Sequence, residues 1–327
     1  MLGTGLLRRA EGAVQNMSRG LISVVTPCFN EEGNVEELYR QIKQVFAALP
    51  QYDYEHLYID NSSQDGTIDK LRRLAAQDQR VKVILNARNF GHIRSPYHAL
   101  LQANGDAVIA MVSDLQDPPA LIPEFLQKWE AGLKIVLGEK TESAESGLMF
   151  ALRKFYYRVV SRLADVELLK NVTGFGLYDR EVIEQFRALN DSYPYVRGLI
   201  SELGYTVGRI PYQQPKRKSG VTKNNFYTLY DMAMLGFTSH SKVPLRLATM
   251  MGFAMSLLSF LAAIIYFIYK LIFWYSFPVG QAPIVIGLFL FSSVQLFFIG
   301  IVGEYIGAIH THVLRRPLVV EKERINF

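Results

Sequence analysis

Residues Asp114-Leu115-Gln116-Asp117 place three oxygen-bearing side chains within four positions, directly after the apolar run Ala107 to Val112. Carboxylate and amide oxygens on a rigid strand end are hard ligands, suited to Mg²⁺ or Mn²⁺ when phosphate oxygens complete the shell. The same acids can instead cap the helix that Pro118-Pro119 opens, and both readings stand on this pattern. A second polar cluster runs from Asp60 through Ser62, Ser63, Asp65 and Gly66 to Thr67. Here Asp60 can serve as an Asx-type cap, a job Ser62, Ser63 or Asp65 can also do. Further along, Arg217 and Lys223 flank Gly220 in a polar loop, and Arg153-Lys154 forms another basic pair. Such cations fit phosphate contact, Arg by its bidentate fork. For Arg153 and Lys154, with Arg158 and Arg162, the other reading is a basic helix face resting on lipid headgroups. The single cysteine, Cys28, has no evident partner as a nucleophile and reads as a small buried hydrophobe.

Alternating elements must hold these groups. Leu21 to Thr26 is a short β-rich run stopped by Pro27, and Glu55–Ile59, Val81–Leu85 and Ala107–Val112 are three more. Between them, Asn34–Leu49 repeats Val35, Leu38, Ile42, Val45, Phe46 and Leu49 on one helical face, Ile68–Gln77 follows a polar N-cap cluster, and Pro96–Gln102 is a third helix. This βαβαβαβ order predicts an α/β domain, a mainly parallel sheet with helices on both faces. Ligands of such sheets sit at the carboxyl ends of the strands, where Asn30-Glu31-Glu32, Asp60, Arg88-Asn89 and Asp114–Asp117 gather.

The last third differs in kind. No charged residue occurs from Leu247 to Tyr269, nor from Leu271 to Gly303. A hydrocarbon core about 30 Å thick needs roughly 20 apolar helical residues. Two spans, about 245–272 and 282–309, are therefore expected. Lys242 and Arg246 before them and Arg315, Arg316 and Lys322 after them put both ends in the cytoplasm by the positive-inside rule. The chain then divides into a loose tail (1–20), a catalytic-type domain (21–224), an interfacial helix (225–243), the membrane hairpin (244–309) and a cytoplasmic tail (310–327). Gly303 and Gly307 form a small-x-x-x-small pair that allows close helix contact, so homo-oligomer contacts through the spans are expected. A net charge of +5, part of it juxtamembrane, favours an anionic lipid surface and gives little support to nucleic-acid binding. One cysteine excludes an internal disulfide.

Several motifs in order carry a resemblance: Thr26-Pro27-Cys28-Phe29-Asn30-Glu31-Glu32, Asp65-Gly66-Thr67, Arg88-Asn89-Phe90-Gly91, Ser113-Asp114-Leu115-Gln116-Asp117-Pro118-Pro119 and Arg217-Lys218-Ser219-Gly220-Val221-Thr222-Lys223. Together with Pro244-Leu245-Arg246 and Gly303-Glu304-Tyr305-Ile306-Gly307, they resemble family 2 glycosyltransferases with a GT-A fold. Within these the chain is similar to the polyprenyl-phosphate branch: GtrB-type glucosyltransferases, the undecaprenyl-phosphate aminoarabinose transferase and dolichol-phosphate mannose synthases. The resemblance implies inverting transfer of a sugar, with UDP-glucose the leading donor, to a membrane polyprenyl phosphate for cell-envelope glycan assembly. It implies Mg²⁺ or Mn²⁺ at Asp114, Gln116 and Asp117, and a donor pocket walled by Pro27, Phe29, Glu31, Asp60 and Arg88 beside Asp114. Arg153, Lys154, Arg217 and Lys223 would hold acceptor phosphate, with Asp114, Arg217 and Lys223 central to catalysis. A phosphate monoester with a second pKa near 6 is already largely dianionic at neutral pH, so no general base is required.

The chain also departs from that pattern. Val112-Ser113-Asp114 stands where the branch often has D-x-D, and Thr173-Gly174-Phe175-Gly176-Leu177 where relatives read G-D-F-R-L. The acid found there in relatives corresponds to Asn171 or to nothing. These losses support a second expectation, a non-enzymatic membrane-anchored partner built on a decayed transferase fold. Retention of Asp60, Asp114, Arg217 and Lys223 argues against it. A processive synthase is disfavoured by the two spans and the absence of Q-x-x-R-W.

Overall fold

Residues 20–141, 172–191, 193–215, 243–273, 281–314 and 316–327 are described by the computed structural model. The expected tail at 1–19, the interfacial helix at 225–242 and the basic residues Arg153, Lys154, Arg217 and Lys223 lie outside them.

Strand β1 (Gly20–Cys28) is buried along its centre from Ile22 to Thr26, which is why it reads as a continuous run and not as an alternation. Helix α1 (Val35–Ala47) follows, then β2 (Tyr52–Asp60), α2 (Thr67–Gln77), β3 (Val81–Asn86), α3 (Gly91–Gln102) and β4 (Ala107–Ala110). A 3₁₀ turn at Pro119–Leu121 runs into α4 (Ile122–Glu130). Then come β5 (Ile135–Lys140), β6 (Val172–Asp179), α5 (Arg180–Leu189), α6 (Val196–Leu203) and β7 (Val207–Tyr212).

Both faces of the sheet are covered, as the α/β reading expects. On one, Leu38, Ile42 and Phe46 of α1 and Phe125 of α4 pack with Ile22, Val24 and Ile109, and Phe46 stacks on Tyr54 at 4.4 Å. On the other, Tyr97 and Leu100 of α3 and Val182, Ile183 and Phe186 of α5 cover Val25, Leu57 and Val108. Each fully buried side chain of this size contributes about 1.5–3 kcal/mol. Cys28 is buried beside Val35, Tyr58 and Leu85, and burial, with Asp60 and Glu31 adding charge, holds its thiol pKa well up.

The sheet order is β7-β5-β6-β4-β1-β2-β3-β8. Pairs β1–β2, β1–β4, β2–β3 and β5–β7 are parallel, whereas β6 runs antiparallel to β4 and β5. The β5–β6 pairing is close: a Cβ added at Gly176 would lie 2.3 Å from the Val136 carbonyl oxygen. No side chain fits there, so the Arg of the G-D-F-R-L pattern could not occupy this backbone. Gly174, at φ +93°, lies in the left-handed region where a side chain is strained.

Three local outcomes differ from the sequence reading. Helix α3 begins at Gly91, five residues before Pro96, because Asn61 fixes the turn that starts it: its Oδ1 accepts from Phe90 N at 2.9 Å and its Nδ2 donates to Gly91 O at 3.1 Å. Strand β4 stops at Ala110, because Asp117 and Ser113 capture the chain that follows. Finally, 310–327 is not only a tail. Strand β8 (Glu321–Ile325) pairs antiparallel with β3, with Val83 opposite Ile325. Val319 is buried, and the charges of β8 are paired across the edge: Arg72 with Glu323 and His98 with Glu321, both at 2.6 Å. Charged edge strands resist further pairing, and the same charges disguise the strand as a tail in sequence.

A second unit contains α7 (Val243–Ile272) and α8 (Gln281–Val313), close to the two expected spans. Within α8, Val294–Val313 is long and apolar enough to cross a membrane, with mean hydropathy 1.4 and none of it buried. Nothing among the described residues lies within 4 Å of a Cβ added at Gly303 or Gly307.

Candidate active site

Sheet order fixes the site. The chain runs β1, β2, β3 in one direction and then returns to place β4 on the other side of β1, so the strand order reverses between β1 and β4. Ligands of open α/β sheets bind outside the carboxyl ends of the strands at such a point. Register pairs Cys28 with Asp60 on one side of β1 and Val25 with Ala110 on the other. The loops after β1, β2 and β4 are thereby neighbours.

The β4 loop is a strained turn. Leu115 has φ +61°, a left-handed value that costs a residue with a Cβ about 1–2 kcal/mol, and its side chain is anchored in the core. Outliers of this kind concentrate at functional sites, where surrounding structure holds them. Ser113 ties the turn to β1 by donating from Oγ to Pro27 O at 3.1 Å. Asp117 closes it from inside: Oδ2 accepts from Val112 N at 3.2 Å and Oδ1 from the Tyr212 hydroxyl at 3.1 Å.

The three oxygen donors therefore have different positions. Asp117 is 3% exposed, and its protein donors engage both oxygens. Asp114 and Gln116 are half-buried; Asp114 Oδ1 accepts from Gln116 N at 3.1 Å. Gln116 Nε2 donates to Pro215 O at 3.3 Å, and Pro215 is the last described residue before the segment carrying Arg217. Val112 is 40% exposed at the position of the absent first carboxylate.

Among the described residues no group of three or more His, Cys, Asp or Glu could by itself hold a metal ion. The donor set at the turn still fits one of a particular kind. One carboxylate and one amide oxygen suit Mg²⁺ or Mn²⁺ provided a diphosphate supplies further oxygens, since such ions keep most of their shell from phosphate and water.

The facing wall is a hydrogen-bonded lattice between the β1 and β2 loops. Asp60 is fully buried and accepts from Ser63 N at 2.8 Å and Ser63 Oγ at 2.5 Å. Ser63 Oγ in turn accepts from Asn30 N, and Thr67 Oγ1 from Glu31 N, both at 2.8 Å. Burial raises the Asp60 pKa, and the Ser63 bonds oppose that. Asp60 therefore fastens the loop and does not cap the helix that follows, whose Thr67 N donates to Asp65 Oδ1 at 3.1 Å, and the lattice sets the backbone of Asn30 and Glu31 beside Asp60. Pro27 and Phe29 are half-buried at the same strand end.

Arg88 has other surroundings. Its guanidinium lies 4.1 Å from the centroid of the Phe90 ring, and Nη1 donates to Asn89 O at 3.0 Å. Sequence reasoning missed two positioning residues. Tyr212 holds Asp117 from β7, 95 residues away. Asn61 joins the β2 end to the Asn86–Gly91 loop, accepting from Asn86 Nδ2 at 3.1 Å and donating to Asn89 Oδ1 at 2.8 Å. The signal for Asn61 is its place directly after a buried strand.

Asp117 should be visible as a pH effect. Burial, with the Asp114 charge adding to it, pushes its pKa up to about 6, against the hydrogen bonds from Val112 and Tyr212. A raised acid pKa means the folded state holds the proton more tightly, so stability falls as pH rises between about 4 and 6 and is level above that. A shift of about two units corresponds to about 3 kcal/mol. In melting curves of the full chain, the difference between wild type and Asp117→Asn should change across that window. Parallel curves from pH 4 to 7 would contradict the placement.

Comparison with known proteins adds an independent line. Residues 23–187 match the model of Glycosyl transferase family 2, and residues 243–309 match that of the GtrB C-terminal hairpin. An uncharacterized glycosyltransferase of Bacillus subtilis is 34% identical over 306 residues, 93% of this chain and 94% of the relative. A prophage-derived bactoprenol glucosyl transferase of Shigella flexneri is 33% identical over 304 residues, 92% of this chain and 97% of the relative. Among solved structures, a glucosyl-3-phosphoglycerate synthase of Mycobacterium tuberculosis, in complex with Mn²⁺, UDP and phosphoglyceric acid, aligns with TM-score 0.46 and 19% identity. That alignment covers 67% of this chain and 76% of the synthase.

Proposed function

The chain belongs to glycosyl transferase family 2 and carries the GtrB C-terminal hairpin, and from that premise we propose that it transfers a sugar, glucose from UDP-glucose first, to the phosphate of a membrane polyprenyl phosphate. The observation that carries this reading is the strained Asp114–Gln116 turn at the reversal of strand order, in a chain that aligns over nearly its whole length with a bactoprenol glucosyl transferase.

In this reading the nucleotide lies against the wall built by Pro27, Phe29, Glu31 and Asp60. Asp114 and Gln116 would hold Mg²⁺ or Mn²⁺, and the bound ion would supply positive charge against the diphosphate. Asp117 keeps the turn rigid through Tyr212. Arg217 and Lys223, with Arg153 and Lys154, gather the acceptor phosphate and offset the repulsion between two anions. An acceptor phosphate oxygen attacks the anomeric carbon from the face opposite the diphosphate. The new C–O–P bond forms as the bond to the leaving diphosphate breaks, with inversion. No proton has to be removed, because the acceptor is already dianionic.

Purified full-length protein should produce lipid-linked sugar from labelled UDP-glucose faster than from other nucleotide hexoses. Product NMR should show the β-anomer from the α-linked donor. Another preferred hexose would overturn the donor, and an α-product would overturn inversion.

The return of the chain to the sheet at β8 supports the hairpin topology. The sheet contains residues on both sides of α7 and α8 in the chain, β7 before them and β8 after them. A chain that leaves a domain and returns to it makes an even number of crossings. If Val294–Val313 spans the bilayer, α7 spans it too, and the sheet stays on one side. Exposed Phe253, Leu258, Leu296 and Phe297 suit a lipid surface and not water. A cysteine placed at Gly280 should be labelled from outside the cell, and one at Lys322 should not. Labelling of both would overturn the hairpin with its cytoplasmic sheet.

The exposed Val112 favours the second reading, a non-enzymatic partner. The held turn and the pinned loops around it support the transferase reading.

A further inference from the structure

At the β3–β8 edge a cavity of ≈ 410 Å³ is lined by Arg88, Phe90, Arg94, Arg316, Pro317 and Val320. Three guanidiniums reach it from three places: the loop after β3, the first turns of α3 and the segment leading into β8. Their hydrogen-bond partners among the described residues are main-chain carbonyls. Arg88 Nη1 donates to Asn89 O at 3.0 Å, and Arg94 Nη2 donates to Pro317 O. Arg94 Nε is buried with no acceptor. Arg88 and Arg94 also share the Phe90 ring, at 4.1 and 5.7 Å from its centroid. Burial holds the Arg94 pKa below its ordinary value, and the Arg88 and Arg316 charges push the same way.

Like charges gathered around a partly apolar cavity are unfavourable until an anion enters. A buried N–H without an acceptor is a further cost that a ligand oxygen would remove. The ligand must supply several acceptor oxygens, because guanidiniums bind planar pairs of oxygens bidentately. The lining by Phe90, Pro317 and Val320 leaves room for an apolar part of the ligand. Phosphate meets the first condition, and a lipid headgroup phosphate meets both. Arg316 lies three residues after Val313, the last residue of α8, and basic residues directly after an apolar helix suit anionic headgroups.

We propose that Arg88, Arg94 and Arg316 form a phosphate-binding site separate from the Asp114 turn. Strand β3 is three inter-strand steps from β4 in the sheet, about 14 Å. This takes Arg88 out of the donor wall in which the family resemblance places it. The source of the phosphate is either a phospholipid headgroup or inorganic phosphate, and the two are separable by experiment.

The test is equilibrium binding to the full chain in neutral detergent, with inorganic phosphate and with dihexanoyl phosphatidylglycerol as probes. Wild type should bind one equivalent of at least one probe, and Arg316→Gln and Arg94→Gln should each weaken it about tenfold or more. Arg316 is exposed, so its replacement does not threaten the fold, and Arg94→Lys should retain part of the affinity. Tighter binding of the lipid identifies a headgroup site, and equal binding identifies free phosphate. Absence of saturable binding to wild type, or unchanged affinity in both Gln variants, would overturn the site. Sugar transfer reads the separation: Arg316→Gln should leave the KM for polyprenyl phosphate unchanged. A tenfold rise would make this the acceptor site and overturn the separation.

Discussion

Asp114→Ala should lower turnover by about 100-fold or more while leaving the melting temperature within a few degrees of wild type. Asp114 supplies a half-buried carboxylate that accepts a bond from Gln116 N, whereas Ser113, Leu115 and Asp117 hold the rest of the β4 turn. Its loss removes charge compensation that matters most as the diphosphate departs, the kind of interaction whose removal costs about 10²–10³ in rate. Metal-dependent nucleotide binding should disappear with it, because Gln116 alone leaves no protein carboxylate in the shell. Wild-type amounts of lipid-linked product from this variant would remove Asp114 from the mechanism.

Arg217 should give the second large effect. Arg217→Ala is expected to damage transfer by about 100-fold with little change in folding, and Arg217→Lys to restore only part of it, since one ammonium cannot reproduce the guanidinium fork. The pH profile adds a reading that a merely structural role would not move. Because the acceptor phosphate ionises unaided, the rate should rise with its second pKa near 6 and then level above about pH 7. A fully active Arg217→Ala enzyme would exclude the residue from the site. A rate that keeps climbing tenfold per pH unit above 7 would point to an essential base.

The first four strands, their order along the chain and their polar carboxyl ends were legible because a buried parallel sheet writes short apolar runs, each punctuated by a polar turn. The acidic turn was legible for the same reason. Its internal division of labour was not: that Asp117 is turned inward, to Val112 and Tyr212, depends on a tyrosine 95 residues later in an edge strand. The antiparallel entry of β6 was missed because a strand's direction leaves no mark on its own residues. Strand β8 was missed because Glu321, Lys322, Glu323 and Arg324 read as a solvated tail, whereas they form an edge strand in which Glu321 pairs with His98 and Glu323 with Arg72. The arginine cavity was invisible for a geometric reason: Arg94 and Arg316 are 222 positions apart and meet only because β8 returns to β3. Asn61 was readable as a loop residue but not as the clamp for the Asn86–Gly91 loop, since its four partners are defined only by the fold.

The central claim is that this chain joins a sugar to a polyprenyl phosphate. Its most direct test measures organic-extractable label after purified full-length protein meets labelled UDP-glucose with and without undecaprenyl phosphate, in Mg²⁺ or Mn²⁺ and again in chelator. Label should enter the lipid phase only when lipid phosphate and metal are both present. No lipid-linked label with any nucleotide sugar, from protein that is folded and metal-replete, would contradict it and leave the non-enzymatic partner standing.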